Sequence, residues 1–332
     1  MNRFIEIRSP VECEAVTNRN GLPPFDPEDL VRHAVDAHWA LVTASGEVMA
    51  RCSLWWQNTP PTHNHRLGFI GHYAAHDALS AHRLLQHACE ELAARHCTLA
   101  VGPMDGNTQR RYRLIIERGT EPVFFMEPDN PDDWPVHFQS SGFTPLAYYR
   151  SALHGKSGIY DPRIERVAKQ MAALNVRIRH LDPQRLEDEL RLIYSVSLIS
   201  FRNNYLYMPI AEAEFIQQYL PMCGYVRSEL VLIAEHRGRP IGFLFAIPDL
   251  MQARRGQAID TVIVKTVAVL PGRAYAGLGH LLGARAEAIS RELGYARAIH
   301  ALMHESNDSV NWSARYGRVM RRYVLFGRSL QS

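Results

Sequence analysis

Residues 266–282, TVAVLPGRAYAGLGHLL, constrain the fold more than any other stretch of the chain. The apolar run Val262–Leu270 reads as a strand, and Pro271-Gly272 ends it. A turn holding Gly277 and Gly279 then leads into a helix that runs to Leu293 and stops at Gly294. The first turn of a helix has N–H groups with no intrahelical acceptor, and the helix dipole adds partial positive charge there. Such a turn binds anions, most often phosphate. Glycine matters because a Cβ would hold a pyrophosphate away from the backbone.

At 332 residues the chain exceeds one ordinary domain, and two of about 150 residues are expected. A hydrophobic content of 46% with 21% charged residues is enough for two buried cores. The net charge of +3 is too mild for the concentrated basic face of a nucleic-acid binder. Arginines 110, 111, 113 and 118 read as solvated surface. Cys13, Cys52, Cys89, Cys97 and Cys223 share no metal or disulfide-framework spacing. The N-terminal MNRFIEIRSP is charged and lacks an apolar signal core, so free thiols in a reducing cytoplasm are expected. No uncharged apolar run approaches the ~20 residues that span a bilayer. His72/His76 and His300/His304 are spaced by four, but both pairs fall in strand patterns. That spacing separates side chains by about 13 Å, so no metal site is expected.

The two halves follow one plan. In the second, Val176–Leu181 reads as a strand and Leu186–Ser200 as a helix. The loop FRNNYLYMP follows, with Pro209 opening a helix through Tyr219. Strands Leu230–Glu235 and Ile241–Ile247 flank a hairpin turn at Gly238. Thr261–Leu270, the glycine turn and its helix come next, then a strand Arg297–Met303, a helix Asn307–Tyr316 and a last strand Val319–Arg328. The first half predicts strands His38–Thr43, Val48–Trp56 and Leu67–Tyr73, a helix Leu79–Arg95 and a strand Thr98–Val101. A helix over 131–140 and a strand Pro145–Leu153 close it. The ends resemble each other, with Gly142-Phe143 leading to Tyr148 and Gly317 leading to Tyr323. A repeat of about 170 residues points to duplication of a whole domain, because solenoid repeats run about 20–50. Residues 1–155, a polar linker helix at 156–175 and residues 176–332 are the expected divisions. Where the second half has its glycine turn, the first has AAHDALSAH, without glycine and with Asp77. A carboxylate at that helix start repels an anionic ligand.

This order of elements resembles the GCN5-related N-acetyltransferase (GNAT) superfamily, over 176–330 and more loosely over 1–153. The resemblance implies an α/β fold of the α+β type. It has two tandem domains, each a mixed, mostly antiparallel sheet flanked by helices. The family's acetyl-CoA loop reads Arg/Gln-x-x-Gly-x-Gly/Ala after a strand. Val267-Ala268-Val269 fits the strand, and Gly277-Leu278-Gly279 supplies both glycines. The family's Arg/Gln position falls on Ala274, with Arg273 one residue early.

By this resemblance Val267, Ala268 and Val269 pair with pantetheine, and Arg273, Ala276, Gly277, Leu278, Gly279 and His280 surround the pyrophosphate. Asn307 and Asn311 also contact acetyl-CoA. The family's tyrosine acid lies seven residues after the asparagine, where this chain has Ala314. Tyr316, nine residues on, is the nearest replacement. Asn204, Tyr205 and Tyr207 fall in the acceptor wall, and Lys265 stands as a cation in an apolar strand. The implied activity is acetyl transfer from acetyl-CoA to a small-molecule or peptide amine by direct attack, carried by the second domain. A non-catalytic acyl-CoA sensor and an aminoacyl or long-chain acyl transferase use the same fold.

Overall fold

A computed structural model describes residues 2–16, 21–155, 161–306 and 317–330. The chain forms two compact units, both discontinuous in sequence. Unit 1 comprises Met1–Glu117, Pro128–Tyr148 and Tyr323–Ser332. Unit 2 comprises Arg118–Glu127 and Tyr149–Arg322.

The strands of the first half are β1 (Arg3–Ile7), β2 (Ala37–Val42), β3 (Val48–Trp55), β4 (Leu67–Ala75), β5 (Leu99–Gly102), β6 (Leu114–Glu117) and β7 (Thr144–His154). Its helices are α1 (Pro10–Glu14), α2 (Asp29–Arg32), α3 (Ala78–Ala94) and α4 (Trp134–Ser140). The second half contributes α5 (Pro162–Ala173), β8 (Arg177–His180), α6 (Leu186–Ser200), α7 (Glu212–Tyr219), β9 (Val231–His236), β10 (Arg239–Pro248) and α8 (Leu250–Arg254). It continues with β11 (Thr261–Val269), α9 (Leu278–Glu292), β12 (Arg297–His304) and β13 (Arg318–Ser329).

Each unit is built on a mixed, mostly antiparallel sheet of the same order. In unit 1, β1, β2, β3 and β4 are antiparallel neighbours, β4 and β5 are parallel, and the far end of β13 pairs antiparallel with β5 through Phe326↔Gly102. In unit 2 the order is β8, β9, β10, β11, with β11 and β12 parallel. There the far end of β7 pairs with β12 through Ala298↔His154. The sixth strand of each unit thus comes from the other half of the sequence. The like-looking ends of the two halves occupy corresponding places in exchanged positions.

Alternation along the strands sets the layers. In unit 2, Leu232, Leu244 and Val262 face Leu278, Leu281, Leu282 and Ala286 of α9. Val231, Phe243 and Ala268 face Leu190, Ile193 and Val196 of α6 and Phe215 of α7. A period of two sends neighbouring strand residues to opposite faces, so both faces are covered by helices. In unit 1, Leu84, Leu85 and Leu92 of α3 bury against Leu41, Leu54 and Ile70.

The structure departs from the sequence expectations in places. Helix α7 begins at Glu212 rather than Pro209, because Ala211 is extended (φ −63°, ψ 147°). Strands β1 and β6 and the short helices α1, α2 and α8 are additions. The expected helix at 307–316 lies outside the described residues. Cys13, Cys52, Cys89 and Cys97 are free thiols. No helix among the described residues is long and apolar enough to cross a membrane.

Candidate active site

The parallel strands of unit 2 part midway along β11. Their last pair is Val264↔His300, whereas β11 continues to Val269 and stays paired with β10 as far as Gly242↔Val269. Among the described residues, Thr266–Val269 have no strand partner on the β12 side. A register shift between Phe245 and Ala246 makes Lys265 the extra residue of a β-bulge where the strands separate. Lys265 donates from Nζ to the Met126 carbonyl at 3.2 Å, so its cation lies against segment 118–127. Val267 and Val269 are half-buried, and Ala268 is buried.

The glycine turn closes over the end of this strand. Arg273–Tyr275 form one 3₁₀ turn, and Gly277 caps α9 in the left-handed region (φ 86°) without a side-chain cap. A Cβ on Gly277 would lie 2.7 Å from Val167 Cγ2 of α5, so backbone conformation and packing both require glycine. A Cβ on Gly279 would sit 3.5 Å from Val267 Cγ1 and 3.8 Å from Val269 Cγ2, which places the turn directly on β11. Leu278 is buried in the core, leaving its backbone as the available group. Arg273, Ala276 and His280 are exposed. Gln170 of α5 donates to the Ala274 carbonyl at 3.1 Å, and the Tyr275 hydroxyl meets His236 Nδ1 at 2.8 Å, so the turn is braced from two sides.

Unit 1 has the same parting of parallel strands, and its own chain fills it. The last β4–β5 pair is Phe69↔Val101. Beyond it, Met104 N–H donates to the Ile70 carbonyl at 2.8 Å, and His72 N–H donates to Asp105 Oδ1 at 2.6 Å. A Cβ on Gly71 would come within 2.2 Å of the Met104 carbonyl oxygen. The helix start is also satisfied internally. Asp77 caps α3, accepting from Ser80 N–H at 2.8 Å and Ser80 Oγ at 3.0 Å, and these bonds hold its carboxyl below the usual range against the opposing effect of burial.

The loop 201–211 stands apart from the glycine turn. Asn204 N–H donates to the Phe201 carbonyl and Tyr207 N–H to the Asn204 carbonyl, forming successive turns around Leu206 (φ 55°). Tyr205 lies 5.9 Å from the His304 ring, which packs edge-on to Tyr149 at 4.9 Å. The loop is therefore brought to the end of β12. Burial raises the Tyr205 and Tyr207 hydroxyls above their ordinary pKa. His300 stacks on His154 at 4.0 Å; burial lowers His154 to about 4 and holds His300 well below its ordinary value. These histidines and segment 118–127 were missed by motif reasoning. The histidine spacing was visible, but the exchanged strand that brings Tyr149 and His154 alongside was not. Glu235 accepts from Arg179 Nε at 2.8 Å, and Arg179 also holds Glu189 at 2.8 Å, so this carboxylate is tied into an ion network. Asn307, Asn311 and Tyr316 lie outside the described residues.

An unpaired strand edge offers N–H and C=O groups to an extended ligand, and the adjoining bare helix start offers donors to an anion. No family model matches the chain. Over 216 residues it is 24% identical to the bacterial ceramide synthase of Caulobacter vibrioides, covering 64% of this chain and 56% of that protein. Over 156 residues it is 22% identical to protein YghO of Escherichia coli, covering 46% of this chain and 39% of that protein. The chain thus spans about half the length of these relatives. Its fold is that of the GCN5-related N-acetyltransferases in tandem. A tandem GNAT protein from the clavulanic acid biosynthesis pathway superposes with a TM-score of 0.51 at 12% identity, covering 100% of this chain and 99% of the other. A probable N-acyltransferase from Enterococcus faecalis gives 0.55 at 10% identity, covering 99% and 73%.

Proposed function

We propose that the chain is an acyl-CoA-dependent N-acyltransferase whose working site lies in unit 2. The supporting observation is the parting of β11 from β12 beside a glycine-capped helix start, set against a unit 1 in which both features are internally satisfied. The glycines suit the donor, since a side chain at 279 would fill the space above Val267 and Val269 and one at 277 would meet Val167 of α5.

When bound, acyl-CoA supplies the activated acyl group. The backbone of Val267, Ala268 and Val269 would hold the pantetheine arm, and an N–H near Val269 would donate to the thioester carbonyl. The N–H groups of Gly277, Leu278, Gly279 and His280 would hold the pyrophosphate, with the exposed Arg273 as its cationic partner. Asn307 and Asn311 contact the arm, and Tyr316 is the proposed donor of the proton to the departing thiolate. Tyr205, Tyr207 and Asn204 form one wall for the amine, which must arrive uncharged to attack. Lys265, bonded to Met126, positions segment 118–127 at the other wall. Unit 1 acts as a partner without donor.

Acetyl transfer to a small or peptide amine is one reading, in the cytoplasm. The Caulobacter relative, a ceramide synthase by name, favours a second: a longer acyl chain moved to an amino lipid. Thiol release from C2 to C16 acyl-CoA in the presence of amine panels tests both. Turnover that falls with chain length supports the first, turnover that rises supports the second, and donor binding with no turnover of any pair refutes transfer.

A further inference from the structure

Unit 1 contains a cluster that donor binding does not use. Asp29 and His33 are four residues apart on α2 and its C-cap, so they project from one face. His72 sits on the β4 bulge opposite, with φ 45°. One donor atom from each lies within 4.8 Å of the others. His33 Nδ1 meets His72 Nε2 at 2.9 Å, and Asp29 Oδ1 is 3.6 Å from His33 Nε2. The two contacts use different nitrogens of the His33 ring, so one nitrogen faces the ion and the other is left for a second partner.

We propose that Asp29, His33 and His72 form a binding site for a borderline divalent transition metal, Zn²⁺ by chemical class. Two imidazole nitrogens and one carboxylate oxygen select such an ion over Ca²⁺ or Mg²⁺, which take oxygen ligands. Three protein ligands leave a fourth position for water or an anion.

The surroundings fit this assignment. Metal ligation by histidine calls for an uncharged ring held by a bond at its other nitrogen. His72 Nδ1 meets Ser53 Oγ at 2.8 Å, and Ser53 Oγ meets His38 Nδ1 at 2.7 Å. With a metal on Nε2, His72 keeps its proton on Nδ1 and donates it to Ser53, whose hydroxyl donates to His38. Phe25 packs against both His38 and His72, at 5.2 and 4.9 Å between rings, and excludes water from that side. A second carboxylate, Asp105, accepts from the His72 N–H at 2.6 Å and lies 4.0 Å from His72 Nε2, adding negative charge beside the imidazoles. Three guanidiniums oppose it. Arg32 pairs with Asp29, Arg110 is fixed on the His33 and Asp105 carbonyls at 3.2 and 3.3 Å, and Arg51 bonds the Pro23 carbonyl. Arg110 and Arg51 are anchored on backbone carbonyls, whereas Arg32 holds Asp29 Oδ1 itself and gives way to the ion on loading. Loading opens the 2.9 Å His33–His72 contact by a few tenths of an ångström.

The full chain, stripped with chelator and equilibrated with ZnCl₂, should retain one zinc per chain by elemental analysis. Asp29→Asn and His33→Gln should each weaken zinc binding at least tenfold, while His76→Gln, an exposed histidine of the same unit, should not. A Co²⁺-loaded chain should show the intense visible bands of a four-coordinate N/O site, lost in both variants. X-ray absorption of the zinc-loaded wild type supplies a test that needs no variant: two imidazoles with oxygen donors are expected. No retained zinc, sulfur ligation, or equal binding in Asp29→Asn and His33→Gln would overturn the site.

Discussion

The Gly277→Ala substitution tests how the glycine turn is built. Gly277 lies in the left-handed region at φ 86°, where an L-residue costs about 1–2 kcal/mol. Its new Cβ would lie 2.7 Å from Val167 Cγ2, about an ångström inside normal carbon contact. Valine on a helix has one strongly favoured χ1, so relief requires an off-rotamer ring of contacts costing about 1 kcal/mol more. The expected destabilisation is about 2–3 kcal/mol by urea unfolding followed by far-UV circular dichroism. Val167→Ala removes the clashing methyl but not the backbone strain. The double variant should therefore lose about 1 kcal/mol less than the sum of the singles. A Gly277→Ala cost below about 0.5 kcal/mol, or strictly additive singles, refutes this account of the turn.

Arg321 and Glu127 form an ion pair at 2.9 Å with both side chains fully buried, and Arg321 also bonds the Glu121 and Pro122 carbonyls. Arg321→Met should cost more than about 3 kcal/mol and raise hydrogen exchange across 118–127, whereas unchanged exchange there would count against the anchoring role. Asp77→Ala should remove about 1 kcal/mol from the α3 end in thermal melts, the worth of its cap, and an unchanged melting temperature contradicts this. The stacked His154 and His300 have folded-state pKa values depressed by burial below the 6.5 of an unfolded histidine. The unfolded chain takes up their protons first, so this stability is present above pH 6.5 and is lost as pH falls toward about 4. Two protons give a slope of up to about 3 kcal/mol per pH unit, which His154→Phe should flatten; urea midpoints that stay level from pH 7 to 5 would exclude it.

Local chemistry made much of the fold legible. Leu186–Ser200 is a helix over its full predicted length because its apolar spacing matches a single buried face. Gly294, at φ 90°, ends α9 where a left-handed cap was expected. Asp77 was read as repelling an anion, and the structure adds that its carboxylate occupies the helix start itself. Strand exchange was not legible, since β7 and β13 end the two halves with like sequences and no local feature of either selects β5 or β12. The assignment of segment 118–127 to unit 2 was hidden for a related reason. The segment is held by contacts remote in sequence, among them Arg321–Glu127, 194 residues apart, and Lys265–Met126. The Asp29–His33–His72 cluster escaped a search by histidine spacing because one ligand is a carboxylate and His72 comes from β4, far in sequence from α2.

The central claim is one donor site per chain, at the glycine turn of unit 2. Isothermal titration of acetyl-CoA and palmitoyl-CoA into the full chain tests it directly, alongside a Gly277→Asp/Gly279→Asp double variant and Asp77→Ala. One site per chain is predicted for the preferred donor, abolished by the double aspartate variant and unchanged by Asp77→Ala. Two sites, no binding of either donor, or binding that survives the aspartates would contradict it.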